Sequence, residues 1–306
     1  MSSNSARLRE INGPLKAGQY VFSDDGVSIP FRYKAGRMKA LVIIFHGALN
    51  REKRDHPFFQ PFLPIDVNQI SISDPTLAAD PELGAAWYIG GENWNLPDKL
   101  SGLIAQVARS LGAPRRVYVG ASVGGYAALF YSSRDEGSVA VAANPQTHLL
   151  NYQNAQFQRL RQVCWPSCDT VEKFEQKAPI SVSAIYAKPV TNRVIYLQSA
   201  GDYGHIKTQF LHFTSKLNPS NVSNLILDVG FWNILGHSGS VPPSAWVPWV
   251  RAVLTSKTIN ADDLLVARHA LREARVDSAR PVDRSLSFDA QDLERAALIR
   301  GHLLQM

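Results

Sequence analysis

One serine stands in a setting that turns a hydroxyl into a nucleophile. Gly120-Ala121-Ser122-Val123-Gly124-Gly125 follows the apolar stretch Arg116 to Val119 and precedes the Ala-rich run Gly124 to Ser132. This is G-x-S-x-G in the context the motif requires: strand, sharp turn, helix. Glycines at 120 and 124 remove Cβ atoms that so tight a turn could not hold. Ser122 then sits at the head of a helix, where the positive end of the dipole favours developing negative charge. A capping serine in an ordinary strand-to-helix turn is the plainer alternative.

A serine hydroxyl needs a base, and the base needs an orienting group. Two late histidines qualify. His237 lies in Gly236-His237-Ser238-Gly239, on a loop after the apolar run Leu225 to Val229, with glycines on both sides. His205 lies three residues after Asp202. His237 is the expected base. Asp202 comes directly off the run Val194 to Gln198 and is the expected acid; its plainer reading is an N-cap. Asp228 is its rival, but it lies inside the last apolar run, where a side chain points into a sheet face. Two backbone N–H donors complete such a site. Val123 supplies one; Gly47 or Ala48, in the loop after Leu41 to Phe45, supplies the other. His46 is expected to be structural.

Other chemistry-bearing residues are weaker signals. Cys164 and Cys168 have C-x-x-x-C spacing without a second ligand pair, so two packed thiols are expected and no metal. Asn144-Pro145-Gln146-Thr147 and Asp74-Pro75 each end an apolar run and either line a pocket or simply turn the chain. Trp87, Trp94, Trp165 and Trp232 flank a pocket or pack a core. No G-x-G-x-x-G or Walker sequence occurs, so no nucleotide cofactor is expected.

The elements that must position these residues follow from the hydrophobic pattern. Unbroken runs at 40–45, 67–73, 116–119, 139–143, 194–198 and 225–229 suit strands buried on both faces of a mostly parallel sheet. Helical spacing over Leu100 to Leu111, and a run rich in Ala, Leu and aromatics over Gly124 to Ser132, supply crossovers, so an α/β fold is predicted. Before them, Tyr20 to Phe22 and Ser28 to Tyr33 flank Asp24-Asp25-Gly26 as a hairpin. The predicted boundaries are a catalytic domain over 20–254, with a lid-like insert at 145–192 before the acid strand, and a helical C-terminal extension over 258–306. In the extension, Asn260 caps a helix to Arg275, a polar linker runs to Ser287, and Asp289 caps a helix to Leu304.

Length and composition bound the rest. The 306 residues are 45% hydrophobic and 19% charged, which excludes wholesale disorder. No window resembles a membrane span. The polar leader over 1–18 has no apolar h-region, so no secretory signal and a cytoplasmic location are expected. Net charge is +6; eight basic and eight acidic residues from 255 onward cancel, leaving the excess in the first 254 residues. Such an excess suits an acidic partner, but no run of five basic residues supports nucleic-acid binding.

Over about residues 20–254 the chain resembles proteins of the α/β-hydrolase fold. His46-Gly47, the elbow at 120–125, Asp202 and His237 carry the resemblance, in that superfamily's order. It implies a Ser122–His237–Asp202 triad, attack on an acyl carbonyl and an acyl-serine intermediate. Within the superfamily the chain is similar to capsular polysaccharide O-acetyltransferases, on its early elbow and its Asp202–His237 spacing. The resemblance implies a small-molecule or glycan acyl ester as substrate and an acyl donor such as acetyl-CoA. The acceptor, water or a sugar hydroxyl, stays open. The two tail helices are too short to stand alone, so self-association through them is a further expectation. A non-catalytic binding or assembly protein on the same scaffold is the other reading; an intact triad argues against it, and Ser122 far beyond hydrogen-bond reach of His237 would favour it.

Overall fold

The computed structural model describes residues 15–152 and 155–278. Among these residues, eight strands form one sheet: β1 (Gly18–Asp24), β2 (Val27–Lys34), β3 (Met38–Phe45), β4 (Val67–Ile72), β5 (Arg115–Ala121), β6 (Val139–Ala143), β7 (Arg193–Ser199) and β8 (Leu225–Gly230). Their order across the sheet is β1-β2-β4-β3-β5-β6-β7-β8. β1 pairs antiparallel with β2 and β2 with β4; every pairing from β4 to β8 is parallel. The mostly parallel α/β sheet flanked by helices is as the sequence predicts.

The local causes are visible in the pattern. Asp25 (φ 49°) and Gly26 (φ 76°) both take positive φ, the backbone that a two-residue hairpin turn demands. β3 buries all six residues from Ala40 to Phe45, and β6 buries all five of its own, because helices cover both sheet faces. Helix α1 (Leu96–Ser110) starts on an Asn95 cap that accepts from Asp98 N–H. It lays Leu96, Leu100, Leu103, Ile104 and Val107 on the sheet. Each such buried aliphatic side chain contributes about 1.5–3 kcal/mol. Helix α2 (Val123–Ser132) is buried along its whole length, which its Ala, Leu and aromatic composition allows.

Between β6 and β7 the described residues form three short α-helices: α3 (Ala155–Cys164), α4 (Val171–Lys177) and α5 (Val182–Tyr186). Phe157, Trp165, Phe174 and Tyr186 from this stretch belong to the main hydrophobic cluster. After β7, a single turn, α6 (Tyr203–His205), passes through a π-helical turn (Ile206–Phe210) into α7 (Leu211–Lys216). α8 (Pro243–Thr255) follows β8. α9 (Ala261–Ser278) begins where predicted: Asn260 Oδ1 accepts from Asp263 N–H at 2.8 Å. It runs three residues past the predicted end, because Val276 to Ser278 hold no proline or glycine to stop it. The helix expected from Asp289 lies outside the described residues. The chain divides into one unit up to Arg268 and a second from His269. Among the described residues no helix is long and apolar enough to cross a membrane.

Candidate active site

The parallel strands all bring their C-terminal ends to one edge of the sheet, where open α/β folds bind ligands. β5 delivers Ser122 there. Its φ of 55° and ψ of −116° are strained for a residue with a Cβ. Neighbours hold it in place: Ser122 N–H donates to Ala143 O at 3.0 Å, and Ser122 O accepts from Tyr126 N–H and Gln146 N–H. The glycines are required by space. A Cβ on Gly120 would stand 2.1 Å from Gly124 O, and one on Gly124 would stand 2.6 Å from Phe45 O. α2 is thereby pressed onto the backbone of Phe45 and His46, which the candidate N–H donors Gly47 and Ala48 directly follow. Among the described residues, the N–H groups of Val123, Gly47 and Ala48 donate to no protein acceptor.

β7 and β8 deliver the other pair. Asp202 is 2% exposed and caps α6, accepting His205 N–H on Oδ1 at 3.2 Å. Its Oδ2 lies 2.6 Å from His237 Nδ1. The histidine loop is tied to the aspartate loop: Gly236 N–H donates to Gly201 O at 2.8 Å, and Gly236 (φ 82°) and Gly239 (φ 71°) take the left-handed backbone that turns the imidazole inward. Burial alone would raise the Asp202 carboxyl. The hydrogen bonds and charges of His205 and His237 more than reverse this and hold it below the usual carboxylate range. With a carboxylate on Nδ1, the imidazole carries its proton there and leaves the Nε2 lone pair free. The structure thus brings Asp202 and His237 together. The Ser122 hydroxyl is at the same edge but is not hydrogen-bonded to His237.

Two further residues complete the cluster. Asn144, at φ 39°, donates from Nδ2 to Asp202 Oδ2 (3.0 Å) and Ser240 Oγ (2.8 Å), and accepts Ser199 N–H on Oδ1. The sequence marked this turn without revealing that it bridges three segments. His205 stacks on His237, ring centroids 3.7 Å apart and planes 8° from parallel. Its Nδ1 is 3.3 Å from Asp202 Oδ2, a longer contact at an oxygen that already accepts from His237 Nδ1 and Asn144 Nδ2. The available signal was the Asp-x-x-His spacing, which returns a side chain over its own cap.

Ligand atoms of Asp202, His205 and His237 lie within 4.8 Å of one another, a donor set that could attract a metal ion. An imidazole binds metal in its own ring plane. Two stacked rings with nearly parallel planes cannot both aim at one ion, so the trio in this arrangement does not suit a shared metal. No other such group of three occurs among the described residues.

The remaining candidates are occupied elsewhere. His46 is 1% exposed; its Nδ1 donates to Gly47 O, its Nε2 accepts Asp74 N–H, and burial pushes its pKa down to about 4. Asp74, pushed up to about 6 by burial, accepts from the N–H groups of Thr76 and Tyr88. Asp228 accepts from Trp249 Nε1 at 2.6 Å, tying β8 to α8 and not reaching the site. Trp87 is fully buried and donates to Gln146 Oε1, while Trp165 donates to Gly90 O. Trp94 and Trp232 are partly buried; the ring of Trp232 covers Gly230. Cys164 and Cys168 are buried free thiols, Cys164 pushed up to about 12 by burial and therefore inert. A separate cleft lined by Arg109, Arg116, Arg134 and Asp135 opens at the N-terminal end of β5. There Arg116 and Arg134 are already paired, with Asp135 and Asp98.

No family model matches the chain, and no curated protein matches its sequence. Solved structures do match in fold. A capsule O-acetyltransferase of Neisseria meningitidis serogroup A superposes with a TM-score of 0.58 at 14% identity, covering 79% of this chain and 97% of that one. An acetyl xylan esterase from Paenibacillus sp. R4 gives 0.50 at 12% identity, covering 79% and 89%. An acylaminoacyl peptidase of Pyrococcus horikoshii gives 0.52 at 12% identity, covering 90% of this chain and 43% of that larger one. These proteins share the α/β-hydrolase fold, and so does this chain.

Proposed function

We propose that this α/β-hydrolase-fold chain is a serine-dependent acyl-ester enzyme. The observation that carries the reading is the pair Asp202–His237, 2.6 Å apart, assembled at the same sheet edge as a strained Ser122. In the reaction, Ser122 Oγ attacks an acyl carbonyl and its proton passes to His237 Nε2. Asp202 holds the resulting imidazolium. The N–H groups of Val123 and of Gly47 or Ala48 receive the oxyanion. Collapse expels the leaving group, which takes the proton from His237 and leaves acyl-Ser122. A hydroxyl acceptor, deprotonated by His237, then attacks the acyl-enzyme and releases Ser122 by the reverse sequence. In sites of this kind the serine–histidine hydrogen bond tightens when substrate excludes water.

Within that class we favour transfer of an acyl group to a sugar hydroxyl over transfer to water. The likeness to the Neisseria capsule O-acetyltransferase spans 97% of that chain. The basic excess of the first 254 residues suits an anionic glycan or an anionic donor such as acetyl-CoA.

The test supplies an activated acetyl ester with and without an acidic polysaccharide. The reading expects Ser122-dependent release of the leaving group, and acyl groups on the glycan rather than in free acetate. Acetate alone at every glycan concentration makes the enzyme an esterase. No Ser122-dependent turnover leaves a binding or assembly protein on this scaffold.

A further inference from the structure

We infer that His205 is a positioning residue: its ring is the wall that fixes the plane of the His237 imidazole. This inference rests on the reading of His237 as the base. His237 sits on a loop whose neighbours Asn233, Ile234, Leu235 and Gly236 are exposed, and its own side chain is one-third exposed. One hydrogen bond, Nδ1 to Asp202 Oδ2, sets the distance of the ring from the acid. A single bond does not stop the ring from turning about that Nδ1···Oδ2 axis. Such a turn would swing Nε2 away from a serine held rigidly by its elbow. The stack removes this freedom: two rings at 3.7 Å and 8° share a face, and turning one would drive its edge into the other.

His205 itself cannot yield. Its backbone N–H is bonded to Asp202 Oδ1 at 3.2 Å, it is 7% exposed, and the Tyr152 ring lies 6.3 Å from its centroid. The same carboxylate therefore holds both partners of the stack, His205 through its main-chain N–H and a longer Nδ1 contact, and His237 through its side chain. The spacing Asp202-Tyr203-Gly204-His205 makes this possible in one helical turn: the fourth residue supplies the capped N–H and lays its ring beside the cap. The role rests on the flat face of His205: its Nε2 is buried without a hydrogen-bond partner, and its Nδ1 meets Asp202 Oδ2 only at 3.3 Å, a contact that His205→Phe removes while keeping the face.

Two variants separate a flat face from mere bulk. His205→Phe keeps a ring; His205→Leu fills the space without one. Both keep the backbone N–H on Asp202. The first readout needs no turnover: the low-field Nδ1–H proton signal of His237, assigned with His237→Gln. It should stay sharp in the wild type and His205→Phe and broaden in His205→Leu. The second is kinetic. His205→Leu should lose about 10- to 100-fold in kcat with KM within about twofold, as expected for a misaimed base, and His205→Phe should recover to within about threefold of wild type. A sharp signal and wild-type kcat in His205→Leu overturn the inference. So does a His205→Phe variant as impaired as His205→Leu, or one that folds but loses the signal. A wild type that turns over no acyl ester refutes the acyl-ester reading instead, while the proton signal still decides the role of His205.

Discussion

Replacing Asp202 by Asn changes one atom and should nearly abolish turnover, for a reason set by the surrounding donors. The carboxylate meets donors on both oxygens: His205 N–H on Oδ1, Asn144 Nδ2 and His237 Nδ1 on Oδ2. An amide can satisfy only one side. The His205 N–H belongs to the main chain and cannot become an acceptor, so the amide oxygen should take the Oδ1 place. Its NH2 then faces Asn144 and His237. Asn144 cannot flip, because its Oδ1 accepts Ser199 N–H and its Nδ2 also serves Ser240. The imidazole is the group able to adapt: it moves its proton to Nε2 and accepts at Nδ1. The lone pair that must take the Ser122 proton is then gone. A base locked in the wrong tautomer costs about 10⁴ in kcat, or roughly 5.5 kcal/mol of barrier. The crowded donors on Asn144 should cost about 1–3 kcal/mol of stability. Turnover of an activated acetyl ester and urea unfolding, measured on the same preparation, check both numbers. A folded Asp202→Asn variant within about tenfold of wild-type kcat would refute the reasoning, since a correctly oriented neutral base retains far more than the wrong tautomer.

Asp228→Asn should leave turnover unchanged and stability within about 1 kcal/mol, because an amide oxygen can still accept from Trp249 Nε1; lost turnover would move the acid to β8. Gly124→Ala should cost about 3 kcal/mol or more in thermal unfolding, because its Cβ would meet Phe45 O at 2.6 Å and His46 O at 2.7 Å, both backbone atoms. Gly102→Ala, on the exposed side of α1 with nothing within 4 Å, should instead stabilise by about 0.5–1 kcal/mol. Acid stability carries two opposed contributions. His46, lowered to about 4 from 6.5, binds fewer protons when folded, so its contribution is lost as pH falls from 6.5 toward 4. Asp74, raised to about 6 from 3.8, holds its proton when folded, so its contribution is lost as pH rises through 6. Each amounts to about 3 kcal/mol over its window. Urea titrations of His46→Asn between pH 6.5 and 4.5 should therefore show a smaller acid loss than wild type; an equal or larger loss removes His46 from the account.

Much of the fold was legible because buried parallel strands write themselves as unbroken apolar runs. β6 has the bounds that Val139 to Ala143 predicted, and β5 extends its run by one residue before and two after. The elbow was legible because sterics leave few residue types able to make so sharp a turn. The choice of Asp202 and His237 as candidates rested on chain order together with the strands that precede them. What stayed hidden depends on segments distant in sequence. The stretch 145–192 looked irregular because α3, α4 and α5 are short and bury only a few side chains each, such as Phe157, Leu160 and Cys164 on α3. Asn144 reads as an ordinary turn residue until β7 and the 237–240 loop converge on it. The stack of His205 on His237 joins a helix cap to a loop 32 residues later, and no periodicity reports such a contact.

The most direct test of the account is covalent. A fluorophosphonate reacts with a serine only where a base activates it and N–H donors receive the phosphonyl oxygen, so labelling interrogates Ser122, His237 and the candidate oxyanion groups together. A single adduct is expected, mapped by peptide mass spectrometry to Ser122, absent in Ser122→Ala and strongly slowed in His237→Gln. No adduct on the folded wild-type protein, or an adduct on another residue that persists in Ser122→Ala, would contradict it.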